Sequence, residues 1–179
     1  MNTHEVSDDL LKLPTPKIIL SGKVDLDMRM HAFRSLVYLT SKGSPDVEIV
    51  IESAGGDIGY GLDIYDAIRL YKGRKTGIVI SKAASMAAII LQSCDRRLCS
   101  LHANILVHNG SVSIDHDILS DDLALASFKL QKQRTVSLLH LILSVRTGKT
   151  IPEIADICKQ DRWATSQEAL SLGLIDEII

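Results

Sequence analysis

Residues 76–91 read TGIVISKAASMAAIIL. The first seven, TGIVISK (76–82), are rich in β-formers and read as a strand. The next nine form an apolar run led in by small residues, the start of a helix. A strand feeding straight into a helix is half of a βαβ unit, and the same order recurs on both sides. Upstream, VEIVIES (47–53) is β-rich, and GDIGYGLDIYDAIRLYKG (56–73) is helical from about Ile58, with Leu62, Tyr65, Ile68 and Leu70 on or near one face. Before these, PKIILSG (16–22) is a short apolar strand, and DLDMRMHAFRSLVYLTSKG (25–43) has apolar residues at helical spacing with a glycine stop. Downstream, ANILVHNG (103–110) reads as one more strand. Alternating strands and helices with short links predict an α/β fold on a mainly parallel sheet.

The longest periodic segment is DILSDDLALASFKLQKQRTVSLLHLILSVRTGK (117–149), with Asp121 and Asp122 suited to a first turn and Gly148 to a C-terminal cap. Roughly 31 helical residues span about 46 Å, whereas a compact chain of this length has a radius of gyration of about 16 Å. An unbroken helix must therefore protrude. Its run VSLLHLILSV is too apolar to leave in water, so a second copy of the chain is the simplest cover. The alternative is two helices broken near Gln131–Gln133 and packed within one subunit. A last amphipathic stretch, SQEALSLGLIDEII (166–179), closes the chain.

The chain has 179 residues, enough for one domain, with 46% hydrophobic and 23% charged residues. A net charge of −2 gives no field favouring nucleic acid or an anionic membrane. The basic stretches KGRK (72–75) and DRR (95–97) read as solvated turns. The acidic N-terminus is unlike a signal peptide, and no apolar run approaches the roughly 20 residues of a membrane-spanning helix. Three cysteines, Cys94, Cys99 and Cys158, form no CxxC and suit a reducing cytoplasm. Six scattered histidines include no HExxH and no i, i+4 pair, so neither a metal nor another cofactor is expected.

Acyl transfer needs a nucleophile, a base, an orienting group and an oxyanion site. Ser85 sits where strand gives way to helix, with small neighbours Ala83, Ala84 and Ala87 that let a substrate backbone approach. A serine there also reads as an ordinary helix cap or filler, and no G-x-S-x-G elbow surrounds it. SAGGDI (53–58) lies at a second strand-to-helix turn, where adjacent glycines Gly55 and Gly56 free the backbone to aim N–H groups at one point, or make a plain tight turn. His108 ends an apolar strand, and Asp161 lies in CKQDRWATS; each alone reads as structural.

In combination, ESAGGDIGYGLDIYDAIRLYK, SKAASMAAIIL, NILVH, HLILSVRTGK and QDRWATSQEALSLGLIDEII resemble the proteolytic subunit of the Clp protease, a family of serine peptidases with a crotonase-like fold. The resemblance covers about residues 10–179, and the spacing from Gly56 to Ser85 matches without a gap. It implies a spiral of βαβ units with a protruding handle helix, in one peptidase domain with an N-terminal segment (1–16) and a handle region (about 109–147). It implies Ser85 as nucleophile, His108 as general base, Asp161 as its orienter, and the N–H groups of Gly56 and Met86 as oxyanion hole. Gly55, Asp57, Ile58 and Asn109 would line the substrate path. Peptides or unfolded proteins would be cleaved inside a homo-oligomer of heptameric rings stacked face to face, a tetradecamer, in the cytoplasm.

The departures are specific. The family's SPGG is Ser53-Ala54-Gly55-Gly56 here, and its Gln-Pro after the histidine is replaced by Asn109-Gly110-Ser111-Val112-Ser113. Residues 108–147 run about four longer. The arginine that pairs across rings corresponds to the uncharged Gln160, which predicts a weaker ring contact. The segment matching the family's gating hairpin is expected to be missing, because only 16 residues precede KIILSG. Aromatic residues that line the unfoldase pocket correspond to Glu48 and Val50, so docking of the usual Clp-type ATPase is doubtful. These features also fit a phage-type relative that matures capsid proteins. A crotonase-type acyl-CoA enzyme, with Asp57 as carboxylate base, is the alternative from another class, and an inactive structural subunit is a third.

Overall fold

The computed structural model describes residues 9–110, 121–159 and 163–179. Strands β1 (Lys17–Val24), β2 (Val47–Gly56) and β3 (Lys75–Ala84) alternate with helices α1 (Leu26–Ser41), α2 (Ile58–Leu70) and α3 (Met86–Leu91). Strands β4 (Arg96–Cys99) and β5 (Asn104–Leu106) come next, then helices α4 (Asp122–Thr147) and α5 (Ile151–Lys159). Strand β6 (Trp163–Thr165), helix α6 (Ser166–Ser171) and strand β7 (Glu177–Ile178) complete the order. The sheet runs β1-β2-β3-β4-β7, all parallel, with β5 parallel to the far end of β3 and β6 antiparallel to β5. This is the α/β succession of βαβ units read from the sequence.

The sheet is bent for a reason visible in its register. Thr76–Val79 of β3 pair with β4, while Lys82–Ala84 pair with β5. Between the two, the β2–β3 register shifts after Ile51, and the β1–β2 register shifts after Ser21. Such irregularities re-aim strand ends. Here they turn the ends of β2 and β3, which carry the Gly-Gly turn and Ser85, toward β5. Alternation along the strands buries Ile18, Leu20, Val47, Ile49, Ile51 and Val79 in one core with Met28, Ile64, Ile68 and Ile90 of the helices. Aspartates cap the helices: Asp25 accepts from Met28 N, Asp57 from Tyr60 N, and Asp121 from Leu123 N and Ala124 N. Each such cap contributes about 1 kcal/mol.

Helix α4 is unbroken over 26 residues, which rules out an interruption near Gln131–Gln133. At 1.5 Å per residue it is about 39 Å long. Its only buried residues are Leu139, His140 and Leu143, so the body holds only its C-terminal part. Leu123 is 78% and Val145 73% exposed, and Leu130, Leu138 and Leu141 are exposed as well. Gly148, at φ 74°, stops the helix as the sequence predicts.

Two basic stretches that read as solvated turns are in part interior. Lys75 and Arg97 are 7% and 5% exposed. Lys75 Nζ pairs with Asp95 at 3.2 Å and donates to Tyr71 O at 3.1 Å. Arg97 donates from its backbone to Asp176 Oδ2 at 2.7 Å, and its guanidinium spans Asp176, Gln92 Oε1 and Gly173 O. These partners lie up to 79 residues away, beyond any local pattern. Burial alone would raise the Asp176 carboxyl, but Arg97's hydrogen bonds and the charges of Arg97 and Arg146 outweigh it and hold it below its ordinary value. A depressed carboxyl contributes stability above its unfolded-state pKa and loses that contribution as pH falls through the folded-state value. Melting temperature therefore falls on acidification through the carboxylate range, and Asp176→Asn flattens part of that fall while lowering stability at pH 7. Thermal unfolding of both proteins across pH 2–7 measures this; parallel curves would refute the Asp176 assignment.

Candidate active site

Ser85 is the junction between β3 and α3, and its backbone has φ 55° and ψ −124°. A non-glycine residue there is strained by about 1–3 kcal/mol and persists only when its surroundings fix it. The surroundings are identifiable. Ser85 N donates to Leu106 O of β5 at 2.8 Å, and Ser85 O accepts from Ala88 N at 3.0 Å to begin the helix. Gly55, at φ 92°, lies so close that a Cβ built on it would be 2.7 Å from both Ala84 O and Ser85 Cβ. The turn presents the side chain away from the helix it precedes.

That geometry decides between cap and exposed hydroxyl. Ser85 makes no side-chain cap bond to α3. Its Oγ lies 2.9 Å from His108 Nε2. His108 is two residues beyond the end of β5 at Leu106, so it stands past the strand rather than on it. The structure thus brings together two sequence-predicted residues 23 positions apart. Asp161, the predicted orienter of His108, lies outside the described residues, as do Gln160 and Ser111–Ser113.

The Gly-Gly turn flanks the same point. Gly55 N donates to Ser53 Oγ at 3.0 Å, and the Cβ that Gly55 lacks would be 3.1 Å from Met86 N. At Gly56 a Cβ would collide with Val24 O, so β1 crowds the other side of the turn. Met86 is the first residue of α3 and its side chain is buried. Asp57 uses its carboxylate to cap α2, accepting from Tyr60 N at 2.9 Å, which engages the one carboxylate an acyl-CoA reading would need as a base. Ile58 opens α2 and lines a small cavity of about 30 Å³ with Ser85, Met86, His108 and Asn109. A wider groove of about 360 Å³ adjoins it, sharing Ile58, Asn109 and Leu139 and continuing along Leu62, Phe128 and Val136. It is mostly apolar and runs between α2 and α4.

Two groups at the cavity escape the sequence pattern. His140 of α4 lines it and donates from Nε2 to Asn109 Oδ1 at 2.9 Å. Burial lowers the pKa of its imidazole, which favours the neutral ring. Cys158 also lines the cavity, but burial pushes its thiol up to about 11, which leaves it protonated and a poor nucleophile at neutral pH. Cys94 and Cys99 are buried and raised to about 12 and about 11. Among the described residues no group of three or more His, Cys, Asp or Glu side chains is arranged to hold a metal, and no helix is long and apolar enough to cross a membrane.

The positions matched to an unfoldase pocket need a correction in physics. Glu48 is not an unpaired charge: Lys17, directly opposite on β1, places Nζ 2.8 Å from Glu48 Oε2. Glu48 and Val50 stand where the resemblance implies aromatic rings, but desolvating a lone carboxylate is no longer the reason for doubting a docked partner.

A sequence model of the Clp protease family matches residues 2–179. The chain is 31% identical over 165 residues to ATP-dependent Clp protease proteolytic subunit 3 of Rhodococcus jostii (strain RHA1), an alignment covering 90% of this chain and 80% of that protein. It is 33% identical over 165 residues to the ATP-dependent Clp protease proteolytic subunit of Streptococcus mutans, covering 90% and 83%. It is 32% identical over 171 residues to proteolytic subunit 1 of Protochlamydia amoebophila, covering 93% and 82%. With the family's sequence pattern matched over nearly its whole length and a strand–Ser–helix turn facing a histidine, this chain belongs to the Clp protease family.

Proposed function

We propose that the chain is a serine endopeptidase that cleaves peptides or unfolded protein inside a homo-oligomeric chamber, with Ser85, His108 and Asp161 as its triad. The observation that carries this reading is Ser85 Oγ, on a strained turn and not capping its helix, 2.9 Å from His108 Nε2. Ser85 passes its proton to neutral His108 as Oγ attacks the scissile carbonyl, and Asp161 orients the imidazole. The N–H groups of Gly56 and Met86 receive the developing oxyanion. The His108 cation then protonates the leaving amine, and water activated by the same ring releases the acyl-enzyme. Ile58 and Asn109 border the path of the acyl chain, with Gly55 packed against Ser85 beside it, and the apolar groove beside Ile58 accepts its side chains.

The assembly is read from α4. A helix with no buried side chain before Leu139 and with Leu123, Leu130, Leu138, Leu141 and Val145 exposed leaves apolar surface for a partner copy. Heptameric rings stacked through α4 would cover it. A fluorophosphonate probe is expected to label Ser85 alone, and the same preparation to sediment as a homo-oligomer at micromolar concentration. Absence of labelling would overturn the serine-peptidase reading, and a strictly monomeric chain would overturn the chamber.

A further inference from the structure

The residue after the proposed base is held in an unusual way. Strand β5 ends at Leu106, and residues 107–110 continue without regular structure. The side chain of Asn109 is anchored across the cavity: its Oδ1 accepts from Nε2–H of His140 at 2.9 Å. His140 is buried, and a buried polar group is stable only when its hydrogen bond is made, so its N–H needs the half-buried Asn109 as acceptor.

His140 is suited to this. It is 8% exposed, and burial lowers its pKa, so the ring is neutral and carries one N–H. Donation to Asn109 fixes that proton on Nε2 and sets the tautomer. His140 also lies in the only part of α4 that the body buries, between Leu139 and Leu143. The bond therefore spans the cavity wall, from the residue next to His108 to a rigid helix, and both residues line the space in front of Ser85.

From this juxtaposition we infer that Asn109 and His140 are a positioning pair for His108, fixing residue 109 and with it the imidazole one residue earlier at its distance from Ser85 Oγ. The inference rests on the serine-peptidase reading. Neither residue gives or takes a proton in the reaction; the pair acts by holding the base in line, a geometry whose loss lowers turnover rather than affinity.

The test uses the full chain and compares His140→Leu, Asn109→Ala, the double variant and His140→Gln, which keeps an N–H donor. Peptide hydrolysis gives kcat and KM, and the rate of fluorophosphonate labelling reports Ser85 reactivity without turnover. Each single variant is expected to lower kcat and labelling about 10- to 100-fold, with KM changed less than about threefold in His140→Leu, since Asn109 itself borders the substrate path. The double variant should be no worse than the poorer single, because both remove the same bond. His140→Gln should recover most of the rate. His140→Leu keeps the site apolar and filled, and thermal melting separates misfolding from misplacement; His140→Gln failing to recover rate while folded would count against the pair. Losses that multiply in the double variant, or a change in KM alone in His140→Leu, would overturn it. If the unmodified chain is labelled at Ser85 and every variant keeps its kcat, the positioning pair is wrong and the peptidase reading stands; if the unmodified chain is never labelled, both fall.

Discussion

Ser85→Ala is expected to lower kcat for peptide hydrolysis by about 10⁶-fold, the scale of losing a triad nucleophile, while folding and assembly persist. The structure explains the separation. The hydroxyl makes no cap bond, so α3 does not depend on it. Folding loses only one hydrogen bond to His108, worth about 0.5–1.5 kcal/mol. Alanine also inherits the strained backbone at φ 55°, ψ −124°. Ser85→Gly makes the complementary point: it is equally inactive, but glycine adopts this conformation freely, so it should be more stable than Ser85→Ala by about 1–3 kcal/mol. Hydrolysis by either variant at a tenth of the unmodified rate would end the assignment, and equal melting temperatures would end the account of strain.

That strain is the part of the site least visible in the sequence. Ala83-Ala84-Ser85-Met86-Ala87 reads locally as an ordinary helix start, and nothing in it demands a positive φ. The conformation is imposed from outside, by Leu106 O on the amide and by Gly55 against the Cβ. The helices and strands around it are legible because their signals are periodic: alternation in β1 to β3, helical spacing in α1 and α2, and Gly148 as a stop. Helix α5 is too short for periodicity to mark, although Thr150 and Glu153 form reciprocal bonds and Pro152 sits in its first turn, a legible start. His140 is hidden inside an apolar run, where a histidine reads as filler until its partner 31 residues away is known. Arg97 and Lys75 mislead for the same reason, since short basic runs are solvated unless a distant carboxylate meets them. Periodicity thus reports elements, and residue combinations report the Ser85–His108 pair. Burial of single polar groups depends on long-range partners that only the fold brings together.

Gly55→Ala separates these contributions. The substitution is expected to abolish most activity and to destabilise the chain by about 2–6 kcal/mol, adding roughly 1–3 for backbone strain and 1–3 for overpacking. For a chain of this size that is a fall in melting temperature of roughly 5–20 °C. The new methyl would lie 2.7 Å from Ala84 O and Ser85 Cβ and 3.1 Å from Met86 N. None of these is the free end of a flexible side chain, so relief must come from moving the turn that carries the nucleophile. A displacement near 1 Å costs on the order of 100-fold in rate. Gly43→Ala supplies the control: its φ of 89° is nearly that of Gly55 at 92°, yet a Cβ there meets nothing within 4 Å. It should show the strain without the clash, losing about 1–3 kcal/mol and no activity. The difference between the two variants isolates the push of residue 55 on Ser85. Hydrolysis by folded Gly55→Ala at the unmodified rate would mean that the Gly-Gly turn does not hold the serine, and that something else imposes its backbone.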